Sequence, residues 1–200
     1  MSKLCVGVLA LQGAFREHVA AVARLGATAR EVRQLKDIDG IDALIIPGGE
    51  STTIGKLLNE WNMLEPLRKR ILDGMPVYGS CAGLILLCRD IENSDQPRLG
   101  VLDATVRRNA FGRQVDSFET SLSIPELGAD PIPAVFIRAP VIIGVGADVK
   151  VLAEVDGQAV AVRQGNILAT SFHPELTPDT RMATPFFCGL QQKRRPVGAS

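Results

Sequence analysis

A strand-to-helix junction with a cysteine at its centre is indicated by residues 77–87, which read VYGSCAGLILL. The apolar residues on either side predict a short strand and then a helix, so Cys81 falls on the turn between them. Glycines two residues before and after it make the G-x-C-x-G form of the nucleophile elbow, where a side chain at either flank would crowd the turn. The helix N-terminus favours the thiolate. We therefore predict that Cys81 is a nucleophile and that the amide N–H of Ala82 helps to bind an oxyanion.

Two other interpretations of this segment stay open. The first is a structural cysteine in a glycine-rich turn, and the second makes Ser80 the nucleophile, although Ser80 stands one position from the centre of the elbow. Cys5 lies in the first predicted strand and Cys88 at the end of the apolar helix, so both are expected to be buried core residues.

The first half of the chain alternates short apolar runs with segments of helical period. Strands are predicted at residues 4–11, 29–32, 43–46 and 75–78, and helices at residues 15–23, 54–61, 64–72 and 82–88. Ser51, Thr52 and Thr53 are suited to cap the second helix. This order is typical of a parallel sheet with helices on both faces. The predicted fold is α/β, with a doubly wound, mostly parallel, flavodoxin-like sheet.

The second half of the chain is dominated by strands. They are predicted at residues 101–107, 114–124 and 134–137 and in a meander over residues 149–172, where Asp156-Gly157 marks a hairpin turn. Antiparallel strands are therefore expected beside the parallel sheet, and a last helix at residues 180–190. No repeat or linker interrupts the pattern, so we predict one domain over residues 1–192 and a disordered basic tail over residues 193–200.

Composition excludes several classes of function. Twenty-two basic residues balance 22 acidic ones among 200, so neither nucleic acid nor a membrane surface is an expected partner. No apolar run approaches the roughly 20 residues that span a bilayer. The four cysteines are scattered, without a C-x-x-C pair or a nearby histidine cluster, so neither a metal site nor a disulfide framework is predicted. A reducing compartment, the cytoplasm, is the expected location.

The search for a catalytic base is short, because the chain has two histidines. His18 stands among polar neighbours in the first predicted helix, which favours a solvated or capping role. His173 follows the apolar run 167–172, at the strand end where doubly wound sheets build their sites. Pro174 forces the chain to turn, which leaves the carboxylate of Glu175 available to one ring nitrogen and the other nitrogen available to Cys81. A histidine in an ordinary strand-end turn is the alternative.

A Gly-Gly turn follows the third predicted strand, in the sequence Pro47-Gly48-Gly49-Glu50. Such a turn before a helix can bind phosphate. The glycine-rich patterns of nucleotide-binding loops do not occur in the chain, so the amides of this turn are interpreted as an oxyanion and substrate-carboxylate site instead.

These three segments, in this order, resemble the class I, triad-type glutamine amidotransferases. Within that class, the chain is similar to the family of glutaminase subunits of pyridoxal 5′-phosphate synthases. The matching stretches are residues 7–13, 16–18, 47–53, 108–118, 136–140 and 171–177. The run 108–118 distinguishes this family from other glutaminases.

The resemblance implies a set of site residues. It implies a catalytic triad of Cys81, His173 and Glu175 that needs no cofactor, with oxyanion donors at Ala82 and Gly49. The glutamine contacts that it implies come from Gly48, Gly49, Glu50, Arg108, Ile137 and Arg138. An arginine is suited to pair with the substrate α-carboxylate and a glutamate with its α-ammonium, and the sequence does not assign these two roles to particular residues.

The resemblance also implies a partner. The family supplies ammonia from L-glutamine to a (β/α)₈-barrel synthase subunit, which makes pyridoxal 5′-phosphate in a large hetero-oligomer. We expect the glutaminase to be weak alone and to be activated on docking, through rearrangement of the flexible Gly48-Gly49 turn. Three other functions remain: a glutaminase for another synthase, a non-catalytic subunit, and a cysteine hydrolase acting on γ-glutamyl peptides.

Overall fold

The computed structural model describes residues 3–108 and 117–183. Within those ranges the chain forms twelve strands and four α-helices. The strands are β1 (Cys5–Leu9), β2 (Thr28–Val32), β3 (Ala43–Ile46), β4 (Val77–Ser80), β5 (Cys88–Ile91), β6 (Leu102–Arg107), β7 (Ser117–Leu122), β8 (Ile132–Ile137), β9 (Val141–Val145), β10 (Lys150–Val155), β11 (Gln158–Gln164) and β12 (Ile167–Thr170). The helices are α1 (Phe15–Arg24), α2 (Ser51–Glu60), α3 (Leu64–Leu72) and α4 (Ala82–Leu87).

One mixed sheet carries ten of these strands. Its order is β2-β1-β3-β4-β12-β11-β9-β6-β5, and β10 pairs with β11 outside this path. The five strands from β2 to β12 are mutually parallel, whereas β11 runs antiparallel to β12, and β9 runs antiparallel to both β11 and β6. Strands β7 and β8 form a separate antiparallel pair. The predicted α/β fold with added antiparallel strands is confirmed.

Apolar layers cover both faces of the sheet. On one face, Leu58 of α2, Leu67 of α3 and Leu84 of α4 pack in one cluster. On the other face, Val22 of α1 packs in a second cluster together with Phe136 of β8. Helices therefore lie on both faces as predicted, but α1 shares its face with the β7–β8 pair. No helix in the described ranges is long and apolar enough to cross a membrane.

Several local predictions differ from the structure. Cys88 is buried as expected, but it begins β5 instead of ending α4, and Cys5 is only half-buried. Strand β9 was not predicted. Helix α2 is capped by the side chain of Glu50, which accepts from the Thr52 amide at 3.4 Å, and not by the hydroxyl groups that follow it.

The end of the chain is described only in part. Residues 181–183 form a turn, in which the amide of Ala183 donates to the Thr180 carbonyl at 3.0 Å. The rest of the predicted helix 180–190, the predicted tail 193–200 and the boundary at residue 192 lie outside the described residues. The assignment of a single domain over residues 1–192 stays a prediction.

Candidate active site

The site is built where two central parallel strands end side by side. Strands β4 and β12 pair with Ser80 opposite Thr170, so the residues that follow each strand emerge at the same edge of the sheet. The amide of Cys81 continues this pairing and donates to the Thr170 carbonyl at 2.8 Å. His173 follows β12 by three residues, which explains why positions so distant in the sequence meet.

Cys81 occupies the strained turn that the glycine pattern predicts. Its backbone has φ 49° and ψ −100°, a left-handed conformation that costs a residue with a Cβ on the order of 1–3 kcal/mol. A Cβ on Gly79 would lie 2.6 Å from the carbonyl carbon of Gly83, and one on Gly83 would overlap the carbonyl oxygen of Ile46. Both flanking glycines are therefore required by close packing of the main chain.

His173 and Glu175 form the second half of the site. Pro174, Glu175 and Leu176 make a single 3₁₀ turn directly after His173. That turn brings Oε1 of Glu175 to 2.8 Å from Nδ1 of His173. The amide of His173 donates to the Val135 carbonyl of β8 at 2.8 Å, so the β7–β8 pair helps to hold this segment. His173 is thereby held at two points, its backbone amide and Nδ1 of its ring.

The electrostatics of the pair favour a charged imidazole. Burial lowers the pKa of His173, but hydrogen bonds with Cys81 and Glu175 outweigh burial and raise the pKa to about 10. Burial raises the pKa of Glu175, but the neighbouring His18 and His173 hold it well below its usual range.

A cavity of about 590 Å³ opens above Cys81 and His173. Every residue implied as a glutamine contact lines it, namely Gly48, Gly49, Glu50, Arg108, Ile137 and Arg138. Ala82 and Glu175 are buried and do not line the cavity. The structure thus brings the implied site residues of the two halves of the chain together, and the role of each stays a prediction.

The Gly48-Gly49 turn packs tightly between two neighbours. The carbonyl of Gly48 accepts the amide of Ala14 at 2.9 Å. A Cβ on Gly48 would lie 2.8 Å from Nδ1 of His173, and a Cβ on Gly49 would lie 2.5 Å from Oε1 of Gln12. Only glycines allow the turn to approach the imidazole and the β1–α1 loop this closely.

The charged groups of the cavity are suited to bind a free amino acid. Oε1 of Glu50 accepts from the hydroxyl of Thr52 at 2.9 Å, and Arg108 donates to that hydroxyl at 3.1 Å. Arg138 follows β8 with φ 42°, a strained backbone conformation of the kind that functional sites retain. A carboxylate and two guanidinium groups around one cavity complement an α-ammonium and an α-carboxylate.

Sequence reasoning missed three residues that support the site. Gln12 accepts the amide of Glu50 at 2.7 Å and lines the cavity. The side-chain amide oxygen of Gln96 accepts a hydrogen bond from Arg108 at 3.0 Å. His18, expected to be solvated or to act as a cap, is instead 2% exposed, with Nε2 at 3.4 Å from Oε1 of Glu175. The prediction for His18 was wrong, because helix α1 turns that side chain into the protein.

Comparisons with known proteins identify the family. Over residues 8–191 the chain matches the SNO glutamine amidotransferase family. The pyridoxal 5′-phosphate synthase subunit PdxT of Carboxydothermus hydrogenoformans is 59% identical over 177 residues, covering 88% of this chain and 93% of that protein. The subunit of the same name from Moorella thermoacetica is 58% identical over 181 residues, covering 90% and 96%.

A solved structure is also similar. A crystal structure described as a glutamine amidotransferase superposes with a TM-score of 0.89 at 52% identity, covering 93% of this chain and 98% of the other. Both the fold and about half of the residues are therefore shared with that glutamine amidotransferase. The chain belongs to the SNO glutamine amidotransferase family.

Proposed function

We propose that this chain hydrolyses the side-chain amide of L-glutamine to glutamate and ammonia, using Cys81 as nucleophile, His173 as acid and base, and Glu175 as its orienter. The observation that carries the proposal is the arrangement of these three side chains. Cys81 and His173 line the same cavity, and Glu175 contacts the far ring nitrogen of His173 at 2.8 Å. This is the arrangement of nucleophile, base and orienter that acyl transfer requires.

The first half of the reaction forms an acyl-enzyme. The thiolate of Cys81 attacks the side-chain carbonyl carbon of glutamine, and the resulting oxyanion is bound by the amides of Ala82 and Gly49. The imidazolium of His173 then gives its proton to the amide nitrogen. The C–N bond breaks, ammonia leaves, and a γ-glutamyl thioester remains on Cys81.

The second half regenerates the enzyme. Neutral His173 takes a proton from a water molecule, which attacks the thioester carbonyl. The C–S bond breaks, glutamate leaves, and the thiolate of Cys81 again faces a protonated imidazole. A buried carboxylate at Nδ1 stabilises the imidazolium in both resting and reacting states, which agrees with the raised pKa of His173.

Substitution of the nucleophile tests this mechanism. Cys81→Ala is expected to abolish glutamine hydrolysis and to leave the fold intact. Cys88→Ala is the matched control, because Cys88 is fully buried, its thiol pKa is raised by burial, and it does not line the cavity. Glutamate release and thermal unfolding are measured for both variants, and turnover retained by Cys81→Ala would refute the assignment.

The ammonia is assigned to pyridoxal 5′-phosphate synthesis. Support comes from the relatives of 58–59% identity, which are named as subunits of pyridoxal 5′-phosphate synthase. The expected partner is a (β/α)₈-barrel synthase subunit in a large hetero-oligomer, and the expected location is the cytoplasm, where a reactive thiol stays reduced. A glutaminase serving a different synthase is the competing function.

Reconstitution with the partner tests this assignment. Co-purification with the synthase subunit and a glutamine-dependent assay for pyridoxal 5′-phosphate are expected to succeed with the unaltered chain and fail with Cys81→Ala. We also expect faster glutamine hydrolysis in the complex, with the Gly48-Gly49 turn as the moving part. Equal rates of glutamine hydrolysis with and without the synthase subunit would refute activation by docking. If the chain supplied ammonia only to a different synthase, the assignment to pyridoxal 5′-phosphate synthesis would be refuted.

A further inference from the structure

His18 is a buried histidine outside the proposed catalytic triad. It lies in helix α1, with 2% of its surface exposed. Its Nε2 is 3.0 Å from the hydroxyl oxygen of Ser80 and 3.4 Å from Oε1 of Glu175. The edge of its ring faces Tyr78, with the ring centroids 6.1 Å apart. A polar side chain turned into the core in this way requires polar partners, and the partners here are the hydroxyl of Ser80 and the carboxylate of Glu175.

The carboxylate of Glu175 depends on few donors. Its side chain has no exposed surface, and Oε2 finds no hydrogen-bond partner within residues 3–108 and 117–183. Three contacts meet at Oε1, from Nδ1 of His173 at 2.8 Å, Nε2 of His18 at 3.4 Å and the hydroxyl of Ser80 at 3.5 Å. The direction of the carboxylate is therefore set at this one oxygen.

The surroundings fix the direction of these hydrogen bonds. An ionised carboxylate accepts only, so the proton between Ser80 and Glu175 belongs to the hydroxyl. If Nε2 of His18 were unprotonated, its lone pair would face Oε1 at 3.4 Å, and the two would repel. Nε2–H of His18 therefore donates to Ser80, which in turn donates to Glu175.

We propose that His18 is a positioning residue, which holds the Glu175 carboxylate in the direction of His173 both directly and through the hydroxyl of Ser80. This inference rests on the proposed triad, because it assigns to His18 an effect on the reaction that passes through Glu175. A carboxylate free to rotate would orient the imidazole less well toward Cys81, and the loss would fall on the chemical steps, not on glutamine binding.

The test uses two substitutions of different chemistry at His18, assayed with the synthase subunit present. His18→Leu keeps an apolar side chain of similar size in the same buried position but has no donor, and is expected to lower kcat about 10- to 100-fold with KM little changed, up to the scale of a misplacement of roughly 1 Å at a reacting group. His18→Gln places an amide N–H near the position of Nε2 and is expected to recover most of kcat. Ala20→Gln, on the exposed side of α1, is the control.

A double-mutant cycle with Glu175→Gln separates this role from a general effect on packing. If His18 acts through Glu175, His18→Leu has little further effect once the carboxylate is gone. An equal loss in both backgrounds, or a kcat for His18→Leu equal to that of the unaltered chain, would overturn the inference. If His18→Leu does not fold, Ser80→Ala in the same cycle provides the test.

The same measurements keep the two proposals distinct. Glu175→Gln is expected to lower kcat strongly by itself. A fully active Glu175→Gln protein would refute the triad. A weak Glu175→Gln protein combined with a fully active His18→Leu protein would refute only the role of His18.

Discussion

Gly48 lies against the imidazole of His173 so closely that no side chain fits between them. A Cβ built on Gly48 would lie 2.8 Å from Nδ1 and closer still to Cε1, whereas real Cβ atoms essentially never approach another heavy atom within 3.0 Å. The turn before helix α2 and the histidine after strand β12 therefore form one packed unit. The position of the ring depends on this glycine as well as on Glu175.

We predict that Gly48→Ala lowers kcat for glutamine hydrolysis by about 100-fold, the scale of a misplacement of roughly 1 Å at a reacting group. Either the turn or the imidazole has to move to admit the methyl group. Gly144→Ala is the control, since the added Cβ would only meet the side chain of Thr105 at an ordinary 3.8 Å. Steady-state kinetics of both variants, with circular dichroism to confirm folding, make the measurement. Unchanged kcat in Gly48→Ala would contradict the packing argument.

A second prediction concerns pH. The pKa of His173 is raised to about 10, so its proton is retained through neutral pH and lost as the pH rises through that value. Because the imidazolium protonates the departing amide nitrogen, kcat/KM is expected to fall above pH about 10. Glu175→Gln removes one of the groups that raise this pKa and should move the basic limb to lower pH.

The pH dependence is measured as kcat/KM against pH, together with the rate of Cys81 alkylation by iodoacetamide. Glu126→Gln is the control, because Glu126 is a half-exposed carboxylate paired with Lys150 and does not line the cavity. Its basic limb should coincide with that of the unaltered chain. A Glu175→Gln limb at the same pH as the unaltered chain would show that the carboxylate does not act on His173.

A third prediction concerns Gln96 and substrate affinity. Gln96 is buried, and its side-chain amide oxygen accepts from Arg108 at 3.0 Å and from the hydroxyl of Ser51 at 3.4 Å. Gln96→Ala is expected to release Arg108 and to raise KM for glutamine about tenfold, the value of one hydrogen bond to a charged group, with kcat little changed. Gln164→Ala, which also loses one side-chain acceptor but lies outside the cavity lining, should keep the KM of the unaltered chain. A fall in kcat at constant KM would assign Gln96 to the chemistry instead.

Parts of the fold with strong local signals were predicted from the sequence. Strand β3 and helix α3 have the predicted bounds, because an apolar run stops at Pro47 and a helical stripe stops before Gly74. Strand β5 was not predicted, because the apolar run 84–88 continues without a break from helix to strand. The strand begins at Cys88 because this residue pairs with Leu102 of β6. Leu102 is distant in the sequence, so residues 84–88 by themselves do not reveal the pairing.

The same distinction applies to the site. Cys81 and His173 stand in local motifs, so their places could be predicted. His18 has polar neighbours, which suggested exposure, but it also lies three residues after Phe15 and four before Val22, on the buried stripe of α1. That periodicity is the signal that was available. Gln96 had none, since its contacts with Arg108 and Ser51 arise only when distant segments fold together.

The elbow at Cys81 has a consequence for the history of such proteins. The positive φ, the hydrogen bond to Thr170 and the close approach of the flanking glycines are all main-chain features, so the sulfur atom is not needed to build the turn. One substitution at this position can remove or exchange the reacting atom while the cavity and the outer surface persist. A descendant could thereby lose its chemistry in a single step and continue as a carrier or a regulator of its former partner.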